Sequence, residues 1–144
     1  MKPLFLISTT LVLTSCSTSL KFVEKDLAPT MYKGYWAMTP VEDIHRVIKF
    51  YPTGMVKIYD YECMQDSYRL NTTETVYLHK EKPNTFTLLD EKKKPFAHFI
   101  ISQANAHQFK AKEQFIDRKI DPHIWHLSYT NSIGAKPICS PNFY

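Results

Sequence analysis

From residue 35 to residue 130 the chain is a succession of short runs in which apolar and polar side chains alternate, separated by turn-forming residues. Alternation with a period of two puts successive side chains on opposite faces of a strand. The first such run is 35–38. The second, 46–51, sets Ile48 and Phe50 on one face and Val47 and Lys49 on the other. Pro52-Thr53-Gly54 then forms a compact turn into 55–63, the clearest hairpin signal in the chain. In that third run Val56 and Ile58 share a face, and Lys57, Tyr59 and Tyr61 share the opposite one. Run 73–79 points Val76 and Leu78 inward and is broken at Lys82-Pro83-Asn84. Run 85–89 pairs Phe86 with Leu88, and 96–102 is apolar on both faces, which predicts a central strand. In 108–115, Phe109, Ala111 and Phe115 oppose Lys110, Lys112 and Gln114. The last run, 124–130, carries Trp125, Leu127 and Tyr129 on one side.

About eight strands with short connections predict an all-β antiparallel meander. With one apolar face to bury, it either closes into a small barrel or folds into two packed sheets, and closure removes the exposed edges. Residues 41–45 and 113–119 are the only places left for a helix, and neither carries a 3.6-residue apolar period.

Composition agrees with this reading. The chain is 44% hydrophobic and 14% aromatic with only three glycines, a globular, β-leaning balance. Its formal charge of +4 is too small, and too scattered, to argue for nucleic acid. The tightest basic cluster, Lys92-Lys93-Lys94, reads as a solvated turn between strands.

Ahead of the strands lies a different kind of segment. Lys2 is followed by an apolar stretch, 4–13, too short for the ~20 residues that cross a bilayer, so it reads as a secretory signal. It ends in Leu13-Thr14-Ser15-Cys16. This resembles the bacterial lipobox: an aliphatic residue, two small residues that let an extended backbone into signal peptidase II, and a cysteine whose thiol forms the thioether to diacylglycerol. The resemblance implies a lipoprotein cut before Cys16 and held on a membrane by palmitate-like chains. Two or three such chains anchor far more firmly than one. Ser17, rather than an aspartate, implies the outer membrane if the source is Gram-negative. The expected organisation is a signal peptide at 1–15, a lipidated tether at 16–31 and a β domain at 32–144. Residues 17–30 would reach at most about 50 Å when extended.

With Cys16 set aside, Cys63 and Cys139 remain in an oxidising compartment. A disulfide between them would pin the C-terminal tail to the end of an early strand. The alternatives are two free thiols or a metal pair, the latter weak without CxxC spacing.

Gly34-Tyr35-Trp36 stands at the start of the first strand. It resembles the Gly-x-Trp motif that opens the first strand of lipocalins and related barrels. The resemblance implies that Gly34 permits close backbone approach, that Trp36 plugs one end of an up-and-down barrel, and that an apolar cavity opens at the other end. A tail-to-early-strand disulfide fits the same family. The chain departs from it in having no arginine in 124–130, no Thr-Asp-Tyr motif and no C-terminal helix pattern.

Catalytic chemistry has no evident carrier. There is no nucleophile elbow, phosphate loop or His-Glu-x-x-His, and neither a cofactor nor a metal is expected. His123 and His126 would share a metal only if 121–123 formed a turn, since strand residues three apart face opposite ways. His98, between Ala97 and Phe99, reads as a core histidine. Asp60 and Glu62 read as a solvated strand end rather than an acid–base pair. Lys57, Tyr59 and Tyr61 are the candidate binding surface, either facing a partner or lining the interior. The leading expectation is a non-catalytic, membrane-anchored barrel that binds a small apolar ligand or an envelope protein. The second is an inhibitor of a lysozyme-type or other secreted enzyme, and the third an envelope hydrolase.

Overall fold

A computed structural model describes residues 26–139. The segment expected to be a signal, Cys16 and most of the expected tether lie outside the described residues. A single-turn 3-10 helix, η1 (Pro29–Tyr32), is followed by β1 (Tyr35–Met38), β2 (His45–Phe50), β3 (Met55–Cys63), β4 (Tyr68–Lys82), β5 (Thr85–Leu89), β6 (Pro95–Ala104), β7 (Gln108–Phe115) and β8 (Ile124–Ser132). Each strand pairs antiparallel with the next, and β8 returns to β1, so the meander closes into an eight-stranded barrel. Among the described residues no helix is long and apolar enough to cross a membrane.

The alternation read from the sequence places the core. Ile48, Val56, Ile58, Val76, Leu78, Phe86, Leu88, Phe99 and Leu127 are buried in one cluster. Register breaks at Asp60/Tyr61, Lys80/Lys82, Leu88/Leu89 and Ile101/Gln103 supply bulges, which bend strands and let a short sheet curl on itself. The 52–54 turn forms as expected: Gly54 takes φ +83°, and its N–H donates to the Tyr51 carbonyl at 3.0 Å.

Several expectations need correction. Strand β6 is not apolar on both faces: Ala97, Phe99 and Ile101 are buried, while His98 and Ile100 are exposed. His98 is therefore a surface residue, because a barrel wall has only one dry face. Residues 41–45 hold no helix, in keeping with the missing 3.6-residue period; Glu42 and Asp43 both take positive φ and Ile44 N–H bonds the Val41 carbonyl at 2.9 Å, a tight reversal of the kind two such residues favour. Residues 113–119 continue β7 and then turn. Strand β4 starts at Tyr68 rather than at 73. Its first half is polar and exposed, so it lacked the apolar face that marks a strand. Finally, Leu27 and Met31 join the core cluster, so the packed domain takes in residues that read as tether.

Candidate functional site

In an up-and-down barrel the connections fall alternately at two ends, and here the ends differ. One end carries η1, the start of β1 and the turns at 52–54, 83–84 and 105–107. It is filled. Trp36 is fully buried, with its ring 5.1 Å from that of Phe109 and edge-on to it. Phe109 stacks on Tyr129 at 4.5 Å and meets Phe50 at 5.8 Å. The Trp36 indole N–H donates to the Met31 carbonyl at 2.9 Å, which ties η1 across this end. Gly34 takes φ +72°, and a Cβ there would come within 2.8 Å of the Ser132 carbonyl. Only glycine lets β1 approach β8 this closely.

The opposite end is open and charged. A cavity of about 220 Å³ runs up the interior between Leu78, Val56 and Phe50 at its base and Arg46, Glu74, Phe96, Glu113 and Phe115 near the mouth. Eight-stranded barrels have room either for side chains alone or for one small ligand. Beyond Arg46, Glu113 and Phe115, a second cavity of about 230 Å³ lies against Met38, Trp125 and Leu127. These three shared residues form a partition between the two spaces.

Arg46 and Asp60 sit opposite each other in the β2–β3 register, and the guanidinium donates to both carboxylate oxygens, from Nε at 2.7 Å and from Nη2 at 2.8 Å. Burial would lower the Arg46 pKa, but hydrogen bonding and charge from Asp60 outweigh it and hold the group protonated, with Tyr129 and Glu113 adding to the effect. Asp60 is thus no solvated strand end. It shares the inward parity of Ile58, and Glu62 beyond the bulge pairs instead with Arg69. Glu113 faces the same space from β7. Burial raises its pKa most, Arg46 offsets part of that, and the carboxylates of Asp121 and Asp60 push it further up. Tyr129, buried beneath, is raised as well, first by burial and then by Glu113. Asp121 accepts hydrogen bonds from the His123 backbone N–H at 2.8 Å and the Trp125 indole at 2.7 Å, and its pKa is lowered by them.

Cys63 and Cys139 are joined, with their Cα atoms 5.7 Å apart. This link pins the tail to the mouth end of β3. His45 lies beside it, its ring Nδ1 3.0 Å from the Ile138 carbonyl. His45, Cys63 and Cys139 are the one group of donor side chains close enough for a metal among the described residues, and the disulfide occupies its two sulfurs. His123 does lie in a loop, as metal sharing would require, but it pairs with Asp121 at 2.8 Å, while His126 projects outward from β8, opposite Lys112.

Lys57, Tyr59 and Tyr61 face outward and are half-buried, which decides between the two orientations the sequence left open. They form a second layer outside the barrel wall. Val47, fully buried although it faces outward, lies between Ala37 and Tyr59 in register. Tyr35 packs edge-on against Tyr59 at 6.1 Å, and the Tyr61 hydroxyl donates to the Ala135 carbonyl at 2.6 Å. The chain's own tail thus takes up part of this surface.

Sequence reading missed Arg46 and Glu113. The signal was present: each is a charge on the apolar parity of its strand, Arg46 with Ile48 and Phe50, Glu113 with Phe109, Ala111 and Phe115. No family model, curated protein or solved structure matches the chain.

Proposed function

We propose that this protein is a non-catalytic binding lipoprotein, anchored at the bacterial outer membrane through Cys16, whose lipocalin-like barrel takes up one small apolar ligand. The observation that carries the reading is the interior cavity, walled by Ile48, Ile58, Val76, Leu78, Leu88 and Phe99 and opening opposite the Trp36 plug. A concave apolar space with a few convergent polar groups is the usual form of a small-molecule site. A saturable one-to-one rise in N-phenylnaphthylamine fluorescence, reversed by decanol, is the expected result. Non-saturating uptake of the dye would contradict it. The anchor is tested separately: Cys16→Ala, with the leader removed, should move the protein from the membrane to the soluble fraction, and persistent membrane association of that leaderless variant would count against lipidation.

One observation favours a second reading, an inhibitor of a lysozyme-type enzyme. The β3–β4 hairpin extends past the β5 edge, since β5 pairs with β4 only from Tyr77 onward. Its tip, Met64-Gln65-Asp66-Ser67, is exposed and braced by the disulfide at Cys63. A stiff loop carrying Asp66 and Ser67 could enter an enzyme cleft. Deleting the tip would abolish inhibition under this reading and leave dye uptake untouched under the first.

A further inference from the structure

We infer that the barrel cavity selects amphiphiles with a cationic head, such as alkylamines, over fatty acids of the same length; this rests on the cavity being the ligand site. An arginine at the mouth of an apolar cavity would ordinarily suggest a carboxylate ligand, but Arg46 is committed. Asp60 takes two of its donors in a bidentate pair, the geometry that satisfies a guanidinium best. What remains facing the cavity is acidic: Glu74 at the rim and Glu113 further in both line it. Arg46 is the only cation among the lining residues, so an incoming carboxylate would meet two like charges and a guanidinium already neutralised.

The aromatic side chains point the same way. Phe96 and Phe115, with ring centroids 6.2 Å apart, line the cavity beside the two glutamates. Ring faces attract ammonium groups and offer nothing to a carboxylate. Tyr129 lies deeper on the same wall, and its oxygen can accept a hydrogen bond from an ammonium N–H. An alkylamine would place its nitrogen among Glu113, Glu74, Phe96 and Phe115 and its chain along Ile58, toward Leu78. The length of the chain is set by the closed end, where the aromatic packing around Trp36 leaves no passage.

The test uses the leaderless chain from residue 16 onward carrying Cys16→Ala, which has neither the apolar leader nor acyl chains of its own to compete, titrated calorimetrically at neutral pH with decylamine, decanol and decanoate. Decylamine should bind at least about tenfold tighter than decanoate, with decanol between, because only the head-group charge differs. Glu113→Gln should cut the ratio of decylamine to decanoate affinity severalfold, and circular dichroism confirms that the variant is folded. Decanol binding with decanoate equal to or tighter than decylamine would overturn the head-group assignment and leave the apolar site standing. An amine preference unchanged in both Glu113→Gln and Glu74→Gln would overturn the assignment to these residues. Binding of none of the three would overturn the cavity as a ligand site altogether.

Discussion

The two ends of this barrel are built from the same eight strands and held by different physics. At the η1 end, aromatic rings pack to exclusion: Trp36, Phe50, Phe86 and Phe109 are all 2% exposed or less, and the one indole N–H among them is satisfied by Met31. At the mouth, the same inward positions carry Arg46, Asp60 and Glu113, with Phe96 and Phe115 only half-buried. Burial there would be costly without pairing, so the end stays open, and ion pairing and a covalent link replace aromatic packing. The contrast shows how a barrel keeps a cavity. Close aromatic packing is concentrated where the chain enters, and the far end need not be filled.

The difference can be measured by perturbing each end in turn. Trp36→Ala should cost about 3–5 kcal/mol, since it empties a packed aromatic site and strands the Met31 carbonyl. The matched change at the mouth, Phe96→Ala, should cost well under half of that in the same urea titration. Equal losses would show that the ends do not differ. Removing the disulfide with Cys63→Ser and Cys139→Ser should cost about 3–4 kcal/mol, as expected for a link closing a loop of 76 residues. Hydrogen exchange should place the resulting loss of protection at the ends of β3 and the tail, not at β1.

Arg46→Met leaves Asp60 and Glu113 facing each other and should cost about 2–3 kcal/mol, below the value for fully buried pairs because the Arg46–Asp60 pair is partly exposed. Adding Asp60→Leu should recover most of it, and an additive double mutant would show that the pair is not coupled. Gly34→Ala should cost about 2 kcal/mol because of its positive φ and the close Ser132 carbonyl. Gly134→Ala, where a Cβ would meet nothing nearer than 4.0 Å, should fall within about 0.5 kcal/mol of wild type.

The smallest effect is a gain. Glu113 has a raised pKa in the folded protein, so between its unfolded and folded values the native state binds more protons and stability falls as pH rises. Glu113→Gln should therefore raise Tm at neutral pH, and the gain should vanish once pH drops below the ordinary glutamate range. A constant gain across the whole range would contradict the burial of that charge.

Most of the fold was legible in the sequence because a barrel wall needs one dry face, and period-two alternation reports that directly. The bounds of β1, β3, β5 and β7 follow from it. Alternation fails where the wall leaves the core, as along Tyr68–Lys82, whose first seven residues are exposed. It also misleads where local composition is apolar for other reasons, as at His98 and Ile100. The candidate site was less legible. Its charged residues break the apolar pattern on a single strand, and only the register β1–β2–β3 and β7–β8 brings Arg46, Asp60 and Glu113 to one mouth. Leu27 and Met31 were hidden because they fall in a stretch that reads as tether. Val47 has the opposite history: an apolar residue on the polar face, explained only once the register sets it between Ala37 and Tyr59.

Whether the open end admits one apolar ligand is decided by methyl NMR of the barrel during titration with decanol. Saturable shifts should appear at Ile48, Ile58, Val76, Leu78 and Leu88, which line the cavity, with Leu27 and Val47 unmoved. Shifts confined to outward-facing positions such as Val47, or none at saturating decanol, would contradict it.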